Sequence, residues 1–380
     1  MYDIKSAVVI GGTSGLGHSI AAALARRGTH VDVYGRALPE NEEANIRYHR
    51  FNLLSDDIES LGAHTQADAL IYAAGLGRIA AFEQLTDAEL VSSFRTNAEG
   101  FARVLRLYQP KLKAAEPFYC AVISSIAGLV SSPMFAAYGA TKAAVASLCE
   151  SVNAELIAQG STNRVLNVAP GSIKGTCFYG GADEPDKTQT LAEEIVSRML
   201  NRETLFIPDY EKTYCGVIER YRSDPEKFGV DSWNYKAASG RASDKPRGRV
   251  GFLSGTFDLF HIGHLNLLRR AKQYCDYLIV GVHPPTSRHK NKPTFIPLEE
   301  RMAIVGSIKY VDKVVETLDE DDAMYALYPY DYLFVGSDYK GTERFERYER
   351  ELTPLGVKII YFPYTQGTSS TQLREALSRK

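Results

Sequence analysis

Tyr138 and Lys142 lie four residues apart in YGATK, so on a helix they share one face. An ammonium beside a phenol favours the phenolate and lowers its pKa, which predicts a tyrosine able to act as an acid near neutral pH. Ser125 ends the apolar run AVISS thirteen residues earlier, where its hydroxyl could hydrogen-bond a substrate oxygen. A second pair lies far along the chain: His261 and His264, three apart in GTFDLFHIGH. At a helix start they face one space. Imidazoles and a helix N-terminus there suit a nucleoside triphosphate, and can steady charge on phosphoryl oxygens as pyrophosphate leaves. Without a third His or Cys nearby this spacing makes a poor zinc site. No metal-ligating residues are assigned.

The elements that must hold these groups follow from the pattern around them. AVVI (7–10) reads as a strand, and SIAAALARRG (19–28) as a helix closed by Gly28. HVDVYG, DALIYAAG and FYCAVISS read as further strands, and the alternation predicts a parallel sheet with helices on both faces. Between the first strand and helix lies GGTSGLG, in which Gly11, Gly15 and Gly17 are spaced by Thr13, Ser14 and Leu16. Small residues there let backbone approach a pyrophosphate at the helix N-terminus, although an ordinary tight turn has the same composition. The second strand ends in Tyr-Gly-Arg, not in the Asp or Glu that would bind a ribose 2′-hydroxyl. Arg36 is therefore placed to accept a 2′-phosphate, which favours NADP(H) over a solvated surface arginine. Beyond ASGRASDKPRG the pattern restarts with VGFLSG, HLNLLRRAKQY, YLIVGVH, YLFVGS and VKIIYF. The expectation is an α/β chain of two Rossmann-like, doubly wound parallel-sheet domains in tandem, at 1–237 and 249–380, with a linker at 238–248.

Composition narrows the partners. A net charge of −2 gives no reason to expect nucleic acid or an anionic membrane, so phosphate must be met by local clusters. Five scattered cysteines without CxxC spacing point to reduced thiols in a cytoplasmic compartment. The N-terminal apolar run is a strand rather than a signal peptide, and no stretch reaches the length of a membrane span.

With the glycine turn, the strand-terminal Ser125, Tyr138-x-x-x-Lys142 and then Pro170-Gly171, residues 5 to about 225 resemble the short-chain dehydrogenase/reductase family. The resemblance implies that Tyr138 donates a proton to a carbonyl, Ser125 positions it and Lys142 binds the nicotinamide ribose. Asn97, in FRTNAEG, matches the asparagine that holds a proton-relaying water. Two cofactor-contacting segments depart from the family: Tyr72-Ala73-Ala74-Gly75 replaces Asn-Asn-Ala-Gly, and Asn52 replaces the Asp beside adenine. Lys174 or Arg78 could meet a substrate phosphate, but a solvated charge is the favoured reading of each.

Residues 249–380 resemble the glycerol-3-phosphate cytidylyltransferase family, with the matching pieces in the family's order. Gly255, Thr256 and Phe257 open the HIGH segment. Lys290 and Lys292 fall in the family's basic loop, and Arg301 matches the arginine of its next helix. Asp338, in GSDYKG, matches the Gly-Asp-Asp-Trp segment with Tyr339 in place of Trp. Thr365, Gly367, Ser369, Ser370 and Thr371 match the closing turn, preceded by Tyr364 where the family carries arginine. The resemblance implies CTP as substrate, and the chemistry implies a magnesium ion bridging its phosphates.

The two halves in series suggest NADPH-dependent reduction of a keto-sugar phosphate to a polyol phosphate. Cytidylyl transfer would follow, giving a CDP-polyol for a cell-surface polymer. The reverse order, a first domain without turnover, and a choline, ethanolamine or adenylyl transfer stay open. Both families lead to the expectation of a homo-oligomer, with a dimer favoured by closed symmetry.

Overall fold

In the computed structural model the run at 7–10 forms the strand β1 (Ser6–Ile10), buried on both faces. Ala7 and Val9 enter one core, and Val8 and Ile10 the other. That continuous burial is what a central parallel strand requires. The model describes residues 4–39, 41–64, 66–176, 178, 183–240, 248–285 and 294–363, with 62–64 described by backbone alone. Lys290, Lys292, Tyr364, Thr365, Gly367, Ser369, Ser370 and Thr371 lie outside these residues. The chain divides into two compact units, Met1–Arg247 and Gly248–Lys380.

In the first unit β1 is followed by α1 (Gly15–Arg26), β2 (His30–Gly35), β3 (Ile46–Arg50) and β4 (Ala69–Tyr72). Next come α2 (Asp87–Phe94), α3 (Gly100–Leu107), α4 (Gln109–Lys113), β5 (Tyr119–Ile123) and the long α5 (Ala136–Ala158). The unit continues with β6 (Arg164–Val168), α6 (Pro185–Leu200), β7 (Leu205–Phe206), α7 (Cys215–Ser223) and α8 (Pro225–Ala238). Its seven strands are all parallel, in the order β3-β2-β1-β4-β5-β6-β7. One face is covered by Ile20 and Leu24 of α1 with Ile195 and Val196 of α6. The other is covered by Phe101 and Val104 of α3 with Val145 and Cys149 of α5.

The second unit runs β8 (Val250–Gly255), α9 (Ile262–Lys272), β9 (Tyr277–Val282), α10 (Leu298–Gly306) and β10 (Lys313–Glu316). It ends with α11 (Asp321–Leu327), β11 (Tyr332–Gly336), α12 (Glu343–Leu352) and β12 (Lys358–Phe362). Five parallel strands lie in the order β10-β9-β8-β11-β12. Both units are thus doubly wound α/β sheets. Strand order reverses between β1 and β4 in one and between β8 and β11 in the other. Such a reversal leaves a crevice outside the carboxyl ends of the strands. Among the described residues no helix is long and apolar enough to cross a membrane.

The second sheet is tied at its amino end by a buried charge pair. The fully buried Lys272 reaches Asp312, whose side chain is 2% exposed, and donates to the Asp276 carbonyl at 2.8 Å. Asp312 also accepts the Leu278 amide at 2.8 Å, so one carboxylate fixes the end of α9 to the start of β9. Removing one partner leaves the other buried and unpaired, which costs about 3–5 kcal/mol. Lys272→Ala is expected to lower the urea stability of this unit by that amount, and Lys272→Met with Asp312→Asn to recover part of it. A loss below about 1 kcal/mol for Lys272→Ala would mean that water already screens the pair.

Candidate functional site

The first crevice begins at the glycine turn after β1. Gly11 has φ +84°, and a Cβ there would lie 2.4 Å from the Ala74 amide nitrogen. A Cβ on Gly17 would lie 2.3 Å from the Gly11 carbonyl. Side chains are excluded at both positions, and this holds the turn, the start of α1 and the segment after β4 in contact. Ser14 is the N-cap of α1, Leu16 is buried beneath it, and Thr13 packs on Gly35 at the end of β2. The Gly15 amide, first in α1, donates to the Asp183 carboxylate at 3.0 Å. The helix end that suits a phosphate therefore carries a carboxylate from just ahead of α6.

Arg36 follows β2 and is exposed. Asn52 is buried, and its side-chain oxygen accepts the Leu54 amide at 3.1 Å, closing its own turn. Ala74 and Gly75 follow β4, and a Cβ on Gly75 would lie 3.2 Å from Lys142 Nζ.

Ser125, Tyr138, Lys142 and Asn97 come together at the carboxyl ends of β4 and β5. Ser125 caps a short turn after β5, accepts the Ala127 amide at 3.1 Å and donates to the Pro170 carbonyl at 3.3 Å. Gly171 is held against Tyr214, whose hydroxyl leaves no room for a Cβ. Tyr138 and Lys142 lie one turn apart on α5, with Lys142 Nζ 5.5 Å from the phenol ring centroid. The same ammonium donates to the Ile123 carbonyl at 2.8 Å. Asn97 sits in a single π-helical turn (Arg95–Glu99) between α2 and α3. Its side chain accepts the Leu76 amide at 2.9 Å and donates to the Leu76 carbonyl and to Thr141 Oγ1 at 2.8 and 2.9 Å. Thr141, absent from the sequence-based set, fixes it from the face of α5.

Burial reverses one expectation. Phe135 stacks on the Tyr138 ring at 4.1 Å, and Phe178 lies 5.3 Å away. This enclosure pushes the phenol up from its ordinary range, and the hydrogen bond with Ser125 only partly offsets it. Burial also lowers Lys142 itself, to about 8. Arg78 is also neither solvated nor open to a phosphate. It is buried, pairs with Glu89 at 2.7 and 3.0 Å and donates to the Gln84 carbonyl at 2.6 Å. This neutral pair, with Leu76, Gly77, Leu85, Ser93 and Ala137, walls a small pocket against Tyr138. Lys174 is exposed.

In the second crevice Gly255 ends β8, and Phe257, at φ +53°, buries its ring 5.3 Å from His264. Asp258 accepts the Phe295 and Ile296 amides at 3.1 and 3.0 Å, tying this loop to the segment before α10. Arg301 is fully buried. It donates to the carbonyls of Thr256, His283 and Ile296 at 2.5, 2.9 and 2.9 Å, while its Nη2 and the Thr256 hydroxyl have no hydrogen-bond partner among the described residues. Orphaned polar atoms of this kind call for a partner, whether water or a polar ligand. Asp338 lies in an exposed turn (Ser337–Tyr339) after β11. Among the described residues no three His, Cys, Asp or Glu side chains form a metal-holding group.

His261 is the N-cap of α9 and stacks on His264 at 4.0 Å. His261 Nδ1 accepts the Gly263 amide at 3.0 Å, and His264 Nδ1 accepts the His261 amide at 3.3 Å. With Nδ1 accepting, each neutral ring carries its proton on Nε2 and presents it as a donor.

A family model described as short chain dehydrogenase matches residues 5–185, and one described as cytidylyltransferase-like matches residues 252–376. Glycerol-3-phosphate cytidylyltransferase of Bacillus subtilis (strain 168) is 32% identical over 127 residues, covering 33% of this chain and 93% of that protein. Ethanolamine-phosphate cytidylyltransferase of Dictyostelium discoideum is 45% identical over 76 residues, 19% of this chain and 21% of that protein. A short-chain dehydrogenase from Streptomyces avermitilis superposes with TM-score 0.50 at 23% identity, covering 61% of this chain and 99% of that one, which shows a shared fold.

Two titrations test the geometry. Lysine-selective NMR on the protein before nucleotide is added should find a resonance, lost in Lys142→Ala, that titrates near 8; a value near 10 would mean that Nζ is solvated. Burial holds His261 below its ordinary 6.5, so the unfolded chain takes the proton first. Stability of the second unit should be full above pH 6.5 and fall as pH drops through that value. His261→Asn, which keeps an N-cap acceptor, should flatten that slope; an unchanged slope would place the proton elsewhere.

Proposed function

We propose, for a chain that belongs to the short chain dehydrogenase family over residues 5–185 and to the cytidylyltransferase-like family over residues 252–376, the synthesis of a CDP-activated polyol. The chain is a bifunctional oxidoreductase and cytidylyltransferase. Reduction of a keto-sugar phosphate in the first unit would supply the alcohol phosphate that the second consumes. The observation carrying this assignment is the joining of a Ser125, Tyr138, Lys142 and Asn97 constellation to a unit whose relatives are named for alcohol phosphates.

In the first unit the substrate carbonyl would lie against the Tyr138 hydroxyl and Ser125 Oγ, where Tyr138 gives its proton to the developing alkoxide. Bound NADPH supplies the hydride. The glycine turn admits close backbone approach, and Arg36 supports the choice of a 2′-phosphorylated dinucleotide. Burial raises the proton affinity of the phenol, so Tyr138 enters the reaction in its protonated form. Lys142 and Asn97 would orient the ribose and the proton path.

In the second unit the Nε2 protons of His261 and His264 and the unpaired Arg301 Nη2 would meet the triphosphate of CTP. An oxygen of the polyol phosphate attacks the α-phosphorus and pyrophosphate leaves, with charge on the phosphoryl oxygens met by the two imidazoles. Magnesium is proposed as a companion of the triphosphate, held through phosphate oxygens. The product would serve a phosphate-linked cell-surface polymer.

Product analysis with CTP, Mg²⁺ and a panel of phosphorylated ketoses, with and without NADPH, tests the assignment. A CDP-polyol that needs NADPH, together with direct coupling of polyol phosphate without it, is the expected outcome. Accumulation of a CDP-ketose without NADPH would reverse the order, and no nucleotide product from any acceptor would overturn the assignment. Tyr138→Phe is expected to cut reduction by about 10²–10⁴-fold and leave cytidylyl transfer unchanged. His264→Ala is expected to do the opposite, and loss of both activities in either variant would point to a shared folding defect.

A further inference from the structure

The edge of the first sheet brings a second tyrosine to the reductase crevice. β6 and β7 run side by side, with Val168 opposite Phe206, and the Ala169 amide donates to the Phe206 carbonyl at 2.8 Å. The segments that leave them, 169–171 and 207–214, therefore emerge together at the carboxyl end of the sheet, where the crevice lies. After β7 the chain passes through a left-handed residue, Asp209 at φ +55°, and then a second π-helical turn, Tyr210–Tyr214. The Asp209 carbonyl accepts the Thr213 and Tyr214 amides at 2.8 and 3.3 Å, which closes the turn. Both features are uncommon. A non-glycine residue in the left-handed region is strained, and single π turns concentrate at functional sites.

The turn delivers Tyr214 to Gly171. A Cβ on Gly171 would lie 1.5 Å from the Tyr214 hydroxyl oxygen and 2.4 Å from its Cζ, so the end of the phenol rests directly on glycine backbone. That backbone adjoins the reaction centre. The preceding carbonyl, of Pro170, takes the Ser125 hydroxyl at 3.3 Å and the Ile126 amide at 2.9 Å. Tyr214 is half-buried, and its hydroxyl has no hydrogen-bond partner among the described residues. Burial, and after it the charge of Asp209, hold the phenol above its ordinary range, so it is neutral and can donate. A ligand that covered this hydroxyl without bonding it would strip away its water and lose affinity. The turn is a poor seat for a phosphate, since the exposed Lys212 is outnumbered by the exposed Asp209 and Glu211.

A 2-ketose phosphate has two arms at its carbonyl, a short hydroxymethyl and a longer one that ends in a dianion. We propose that the Tyr214 hydroxyl bonds the hydroxymethyl arm, and that the reductase thereby selects 2-ketose phosphates over their 1-deoxy counterparts. Tyr214 touches the substrate, and Gly171 admits it there by lacking a side chain. The inference rests on the reductase reading proposed above and names the class of ketone it takes.

The test is steady-state reduction by the full chain with NADPH. The substrate is whichever of dihydroxyacetone phosphate, D-ribulose 5-phosphate and D-xylulose 5-phosphate wild type reduces, run beside its 1-deoxy counterpart. Wild type is expected to favour the hydroxylated ketone by at least about tenfold in kcat/KM, the effect of one hydrogen bond. Tyr214→Phe keeps the ring and removes a hydroxyl that bonds no described residue. Its melting, its cytidylyl transfer and its Kd for NADPH should therefore match wild type. Its kcat/KM should fall by about tenfold with the hydroxylated ketone and hold or rise with the 1-deoxy ketone, which a merely structural tyrosine would not show. Equal losses with both ketones, or an unchanged kcat/KM with the hydroxylated one, would overturn the proposal. So would a wild type indifferent to the missing hydroxyl, a weakened Kd for NADPH or a lowered melting temperature in Tyr214→Phe. If wild type reduces none of the three ketose phosphates, the reductase reading itself has failed, and that result is distinct from a normal wild type with an indifferent variant.

Discussion

Parallel strands cannot be joined by tight turns, so each must be followed by a crossover that returns along a face of the sheet. A sheet covered on both faces must then reverse its strand order somewhere. At that reversal two neighbouring loops part to opposite sides. Everything chemical in this chain depends on that constraint. In the first unit it separates the loops after β1 and β4, and the glycine turn, Gly75 and Lys142 meet there. In the second it separates those after β8 and β11, which puts the histidine pair on one wall and Asp321 on the other. The cores differ in size but perform the same task, which is to hold two loop sets at a fixed spacing.

Both crevices place polar groups where water is scarce, and the cost is met locally. Asn97 is bonded on both sides of its amide, Arg301 spends three donations on carbonyls at the strand ends, and Arg78 is neutralised by Glu89. Lys142 and Tyr138 have proton affinities shifted by burial that no opposite charge cancels.

Much of the framework was legible in the residues. β1, β2, β8 and β11 are short apolar runs ending in glycine or at a glycine turn, and the spacing of Tyr138 from Lys142 and of His261 from His264 is local. β3 was not legible, because Ile46–Arg50 is an edge strand of mixed polarity with few buried side chains. β7, at two residues, carries no period at all. The misjudged groups share one cause, which is a partner distant in sequence or hidden by folding. Arg78 reads as a surface charge until α2 brings Glu89 against it. Tyr138 reads as activated by its lysine until Phe135 and Phe178 enclose it. Local spacing names candidate groups, and long-range packing decides their proton states.

The bond between the Gly15 amide and Asp183 spans 168 positions of sequence and fastens the start of α1 to the approach to α6. A carboxylate on that amide is a resident anion. Any phosphate that takes its place exchanges one negative group for another, so the helix end gains little net charge from the trade. The released aspartate belongs to the stretch that also brings Thr176 against Gly15. Phe178, two positions beyond Thr176, lies against Tyr138. A phosphate reaching the Gly15 amide would have to displace the carboxylate that already holds it.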